Sequence, residues 1–90
     1  MIDVWGFDTE PRFKKQYKNL DSQTKEKVNE AIHELRNSEN PARLGEYKQD
    51  MRIFAYNIGK KYRILYNVNW NDNTIEFLRV CDHKSVYSKD

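Results

Sequence analysis

The chain holds one cysteine, three glycines and two prolines among its 90 residues. Cys81 alone can form no intrachain disulfide, so a small core must hold the fold without covalent help. A lone cysteine suits a reducing compartment. No run approaches the roughly 18 apolar residues that a membrane-spanning helix needs. The opening MIDVWGFDTE has neither a basic start nor a long apolar centre, so no signal peptide is expected. No glycine-rich phosphate loop is present. His33 has no cysteine or histidine at ligand spacing, and neither a metal nor another cofactor is expected. Repeats, low-complexity tracts and linkers are missing too. These absences leave one domain, residues 1–90, expected to be soluble and cytoplasmic.

An excess of one charge is also missing overall, since the formal net charge is +2. Its distribution is uneven. Residues 1–42 carry seven Lys/Arg against eight Asp/Glu, and residues 43–90 carry nine against six. The positive half is also the aromatic half, which hints at an anionic partner there. A mildly basic surface with no such partner fits the same numbers.

The apolar period changes once. Residues 2–7, IDVWGF, read as a short strand. Asp8 or Thr9 can cap a helix with Pro11 in its first turn, and Phe13, Tyr17 and Leu20 make one helical face. Asp21 or Ser22 can cap a second helix with the stripe Val28, Ala31, Ile32 and Leu35, ended by Asn37 to Pro41. From Met51 the period falls to two, and MRIFAYNI, KYRILYNVNW and TIEFLRVC read as three strands. Their connections, Gly59-Lys60-Lys61 and Asn71-Asp72-Asn73, are short, so an antiparallel meander follows. The expected fold is α+β: a helical hairpin on one face of a small antiparallel sheet, in the order β-α-α-β-β-β, with the other face open.

Side-chain alternation then suggests a site. In the middle strand Tyr62, Ile64, Tyr66, Val68 and Trp70 form the expected core set, and Arg63 projects from the other face. In MRIFAYNI the expected core set is Met51, Ile53 and Ala55, with Arg52, Phe54 and Tyr56 opposite. A concave surface presenting Arg52, Arg63 and aromatics suits a nucleotide, because arginine forks onto phosphate and a ring stacks on any base. The plainer reading is that both arginines cap an exposed sheet face, or that one pairs with Glu76.

The order of elements, the segment RLGEYKQDMRIFAYNIGKKYRILYNV and the ending FLRVCDHKSVY resemble the RelE/ParE family of bacterial and archaeal toxins. The matching features are Leu44-Gly45 before the sheet, the strand Met51–Ile58, the Tyr62-Arg63-Ile64-Leu65-Tyr66 strand, and the tail Val80–Tyr87. The resemblance covers essentially the whole chain. It implies a type II toxin neutralised by a cognate antitoxin, in an assembly such as a heterotetramer. The RelE-like branch cleaves mRNA in the ribosome and needs no metal. The ParE-like branch poisons DNA gyrase instead, and a catalytically weak relative that only binds antitoxin or RNA is a third alternative. The basic and titratable residues of the sheet and tail favour the RelE-like branch.

On that branch the 2′-OH of RNA attacks the adjacent phosphate, so the protein must orient it, neutralise the phosphorane and protonate the leaving oxygen. The resemblance gives Arg63 the phosphorane, with Arg52 beside it or on the backbone. His83 is the proton-transfer candidate, its unperturbed pKa of roughly 6.5 suiting that work. Tyr87 would stack on a base or orient the 2′-OH; its plainer role is to anchor the tail. Lys60, Lys61, Lys84, Arg43 and Lys48 would bind phosphates of mRNA or ribosomal RNA. The sequence departs from the best-known members at Phe54, where they carry a lysine, and at His83, where many carry arginine. Arg63 and His83 are expected to converge on one exposed cationic hollow. His33 reads as structural, and Cys81 as a buried small residue rather than a nucleophile.

Overall fold

Proline opens two of the three helices in the computed structural model, which describes residues 4–59 and 61–82. Its fixed φ suits the first helical position, and its missing N–H costs nothing there. Strand β1 (Gly6–Thr9) leads through Glu10 into α1 (Pro11–Lys18). Helix α2 (Ser22–Arg36) follows a three-residue break that ends in its N-cap, Asp21, and Thr24 Oγ1 donates to the Asp21 carboxylate at 2.5 Å. One further helical turn, α3 (Pro41–Leu44), is capped by Asn40, whose side chain accepts from the Ala42 amide. Strands β2 (Glu46–Lys48), β3 (Ile53–Ile58), β4 (Tyr62–Asn69) and β5 (Thr74–Asp82) complete the chain. Turn α3 and strand β2 are additions to the expected order. Each is only three or four residues long, too short for a periodic signal.

The strands form one five-stranded sheet in the order β1-β5-β4-β3-β2. The expected antiparallel meander is β3-β4-β5. β2 extends it antiparallel at one edge, and β1 lies parallel to β5 at the other. Asn73 in the β4–β5 turn has φ 54° and Gly59 in the β3–β4 turn φ 63°, the left-handed conformations those residue types tolerate. Among the described residues no helix is long and apolar enough to cross a membrane.

The helices cover one face of the sheet. Phe13 from α1 and Val28, Ala31 and Leu35 from α2 pack against Ile58, Ile64, Tyr66, Ile75, Phe77 and Val80. Tyr66 and Phe77 are register partners, both fully buried, with ring centroids 6.4 Å apart. Trp5 plugs the end of this core and its Nε1 donates to the Ser38 carbonyl at 3.0 Å. Two expectations are corrected. Trp70 lies beyond β4 and is 56% exposed, edge-on to Trp5 at 5.3 Å. In β3 the phase is reversed: Phe54 and Tyr56 face the helices opposite Tyr66 and Ile64, while Ile53 and Ala55 take the other face. Both β3 sets are apolar, so alternation alone could not choose between them. The helix-side layer takes the larger side chains.

The Leu44-Gly45 pair now has a physical reason. Tyr66 Oη donates to the Pro41 carbonyl at 2.7 Å, passing directly over Gly45. A Cβ at Gly45 would run into that hydroxyl and lie 2.9 Å from the Ala55 carbonyl oxygen. Gly45→Ala is therefore expected to lower stability by about 1–3 kcal/mol, the usual range for overpacking. A urea midpoint equal to that of the parent protein would contradict this placement of Tyr66.

Candidate functional site

The sheet face away from the helices carries Ile53, Ala55 and Asn57 from β3 and Arg63 and Leu65 from β4, by register and alternation. On β5 the ladder shifts register: Leu65 pairs with Arg79, but Tyr66 pairs with Phe77. Leu78 is the extra residue of a β-bulge. A bulge re-aims the side chains around it, so Phe77 and Val80 both reach the core while Arg79 turns to the opposite face. Helix α1 brackets the bulge. The Glu10 amide donates to the Phe77 carbonyl at 3.0 Å, and the Val80 amide donates to Gln16 Oε1 at 3.0 Å.

This arrangement leaves a hollow of about 690 Å³ between the first turn of α1, the bulge and the β2–β3 turn. Ile53, Leu65, Leu78 and Met51 supply its apolar lining, and Arg12, Arg79 and Glu10 its charged groups. The volume is within the range of small-ligand sites. The N-terminal end of α1, with its partial positive charge, also opens here. Arg12 and Arg79 are functional candidates that sequence reading missed. Strict alternation along TIEFLRVC puts Arg79 on the same face as Ile75 and Phe77, and only the bulge separates them.

The residues singled out from sequence are placed as follows. Arg63 is on the helix-free face, but it is 3% exposed rather than open, and its Nε donates to Asn57 Oδ1 at 3.0 Å. Ala55 and Leu65 on that face are each 3% exposed as well, so the open face is open only in part. Arg63 faces Cys81 across the ladder, and Glu76 sits opposite Asn67 instead. Arg52 is not a strand residue: it has φ 58°, lies in the turn before β3, and its amide donates to the Lys48 carbonyl at 2.7 Å. Arg52 and Arg63 flank opposite ends of β3, about 15 Å apart at strand rise, so they do not form one surface. A left-handed arginine stores about 1–2 kcal/mol of strain, which the turn holds in place. Lys48 lies 3.3 Å from Glu46. Arg43 and Lys61 are exposed, on α3 and in the β3–β4 turn. Lys60, His83, Lys84 and Tyr87 lie outside the described residues, and so does the expected meeting of His83 with Arg63. His33 is exposed near the end of α2, its carbonyl accepting from Asn37 Nδ2 at 2.8 Å.

Tyr56, expected on the open face, instead reaches across to α2 and donates its phenol proton to Glu34. Burial, then the hydrogen bond and charge of Glu34, push its pKa up to about 12. The folded value lies above the ordinary tyrosine value near 10. The stability contributed by the neutral phenol is therefore complete below about pH 10 and is lost as pH climbs toward about 12. Tyrosinate absorbance should show two late-titrating groups, Tyr56 and the more deeply buried Tyr66, and Tyr56→Phe should remove the earlier of the two. A titration in which Tyr56→Phe removes an ordinary component instead would contradict the Glu34 contact.

The ParE toxin model, described as the ParE toxin of type II toxin–antitoxin systems, matches residues 8–87. No curated protein matches by sequence. Among solved structures, the toxin–antitoxin complex RelBE2 from Mycobacterium tuberculosis aligns with a TM-score of 0.78 at 20% identity, covering 92% of this chain and 95% of that one. The E. coli RelE mutant bound to an antitoxin RelBc peptide gives 0.74 at 19%, covering 93% and 90%. The intact E. coli RelBE complex gives 0.72 at 18%, covering 87% and 95%. These likenesses are of fold, and the family model spans most of the sequence. The chain belongs to the RelE/ParE superfamily of type II toxin–antitoxin toxins.

Proposed function

We propose that this toxin inhibits translation by cleaving mRNA on the ribosome, working from the helix-free face of its sheet. The observation that carries this reading is the hollow beside Leu65, large enough for a nucleotide and flanked by two exposed arginines. RNA brings its own nucleophile. Attack of the 2′-OH on the adjacent phosphate breaks the bond to the 5′ oxygen and leaves a 2′,3′-cyclic phosphate. No metal is required for that step. His83 protonates the departing 5′ oxygen, and Tyr87 stacks on a base or orients the 2′-OH. Arg63, at 3% exposure, does not touch the phosphorane; it fixes Asn57 and adds positive field beneath the bound strand. Arg43, Lys48, Arg52, Lys60, Lys61 and Lys84 hold phosphates of mRNA and ribosomal RNA. A cognate antitoxin neutralises the toxin, as relatives solved with RelB antitoxins suggest. The cytoplasm, where ribosomes work, is the site of action.

Gyrase inhibition is the second reading. It is favoured by the burial of Arg63, which takes that guanidinium away from the surface an RNA phosphate would reach, and by the ParE description of the family model. Primer extension on an mRNA translated in a cell-free extract separates the two. The expected result is toxin-dependent 5′ ends within codons, reduced by at least tenfold in His83→Ala while the variant stays folded. Intact message together with inhibited gyrase supercoiling would overturn the nuclease reading.

A further inference from the structure

With Arg63 buried, the phosphate of the nucleotide at the cleaved bond needs a cationic partner other than the one the strand arginine would have supplied. Arg79 and Arg12 stand on different elements and line one hollow. Both side chains are exposed. Among the described residues neither makes a side-chain hydrogen bond or ion pair, although Glu10 lines the same hollow. Unpaired guanidinium groups that share a concavity leave their donors to a ligand, and their planar forks suit phosphate oxygens. Between them lies apolar surface from Leu65, Ile53, Met51 and Leu78, a bed for the face of a base rather than for a bare anion.

The position of Arg79 is built rather than incidental. A regular β5 would send position 79 into the core. The bulge turns it outward, and two hydrogen bonds to the α1 segment, at Phe77 and Val80, hold the bulge. The second of these comes from Gln16, on the helix that also carries Arg12. One helix thus sets both arginines.

We propose that Arg79 and Arg12 are the phosphate-binding pair of this toxin, and that the hollow is a subsite for one nucleotide of single-stranded RNA with its base on the Leu65 and Leu78 surface. Gln16 is a positioning residue that acts through the Val80 amide. Glu10 keeps the phosphate at the arginine end by charge repulsion and accepts from N–H groups of the base. This inference rests on the RNA reading above and deepens it.

The test is binding of a short fluorescent single-stranded RNA to the folded full chain across a salt series, run beside primer extension. Losing one phosphate contact should lower the log–log salt slope by about 0.7. Arg79→Ala and Arg12→Ala should each weaken binding roughly tenfold and show that lower slope. Arg79→Lys should recover the slope with only part of the affinity, because a point charge replaces a fork. Gln16→Leu should weaken affinity while keeping the slope of the parent. Lys27→Ala, the same charge loss on the helix side, should change neither. Wild-type affinity and slope in both arginine variants would overturn the inference even if mRNA is cleaved, and so would absence of RNA binding at low salt. Dependence of RNA binding on both arginines, with translated mRNA left intact, would sink the nuclease reading and leave this subsite standing. Equal competition by duplex DNA would also overturn it, since a double helix cannot lay one base on that surface.

Discussion

Between Leu65 and Tyr66 the ladder joining β4 to β5 takes up one extra residue, and both faces of the sheet follow from that step. On the helix side it lets Ile75, Phe77 and Val80 all reach the core, although their spacing is not a regular period of two. Phe77 then meets Tyr66, Phe13 and Phe7, with centroids 5.7 to 6.4 Å apart. Burial of such rings is the largest favourable contribution available to a chain of this size with no disulfide. On the other side the same step delivers Leu78 and Arg79 to the hollow. Core and candidate site are therefore two sides of one irregularity, and a bulge beside a functional surface is a recurrent arrangement.

Helix α1 ties the two sides together. Its apolar stripe seats Phe13 against Phe77, its Gln16 caps the Val80 amide, and its first turn presents Arg12. The short helix thus stabilises the bulge by hydrogen bonding and shapes the hollow by position. Tyr66 works similarly at the other margin, where its hydroxyl satisfies the Pro41 carbonyl and holds α3 over Gly45. Burial pushes the Tyr66 phenol well above its ordinary pKa, so it remains a neutral donor across the physiological range.

Much of the fold was legible because its signals are local. The stripes of α1 and α2, the prolines, and the Asn-Asp-Asn and glycine turns each describe a backbone geometry within a few residues. The β3 phase was not legible, since IFAYNI is apolar on both faces and only pairing with β4 decides which set is covered. Arg63 was placed on the right face and given the wrong exposure. Alternation tells direction, whereas burial depends on what surrounds the strand. Arg52 was read as a strand residue because nothing in MRIFAYNI marks a left-handed turn before Ile53.

By itself the sequence determined the class of fold, the helical hairpin, the meander and the membership that goes with them, because period, caps and turn residues act over short spans. Tertiary structure alone decided which arginines can meet a ligand. That choice depends on one unpaired residue in a ladder, on a glutamine sixty-four positions away that holds it, and on the burial of Arg63. Such long-range contacts leave no periodic trace along the chain.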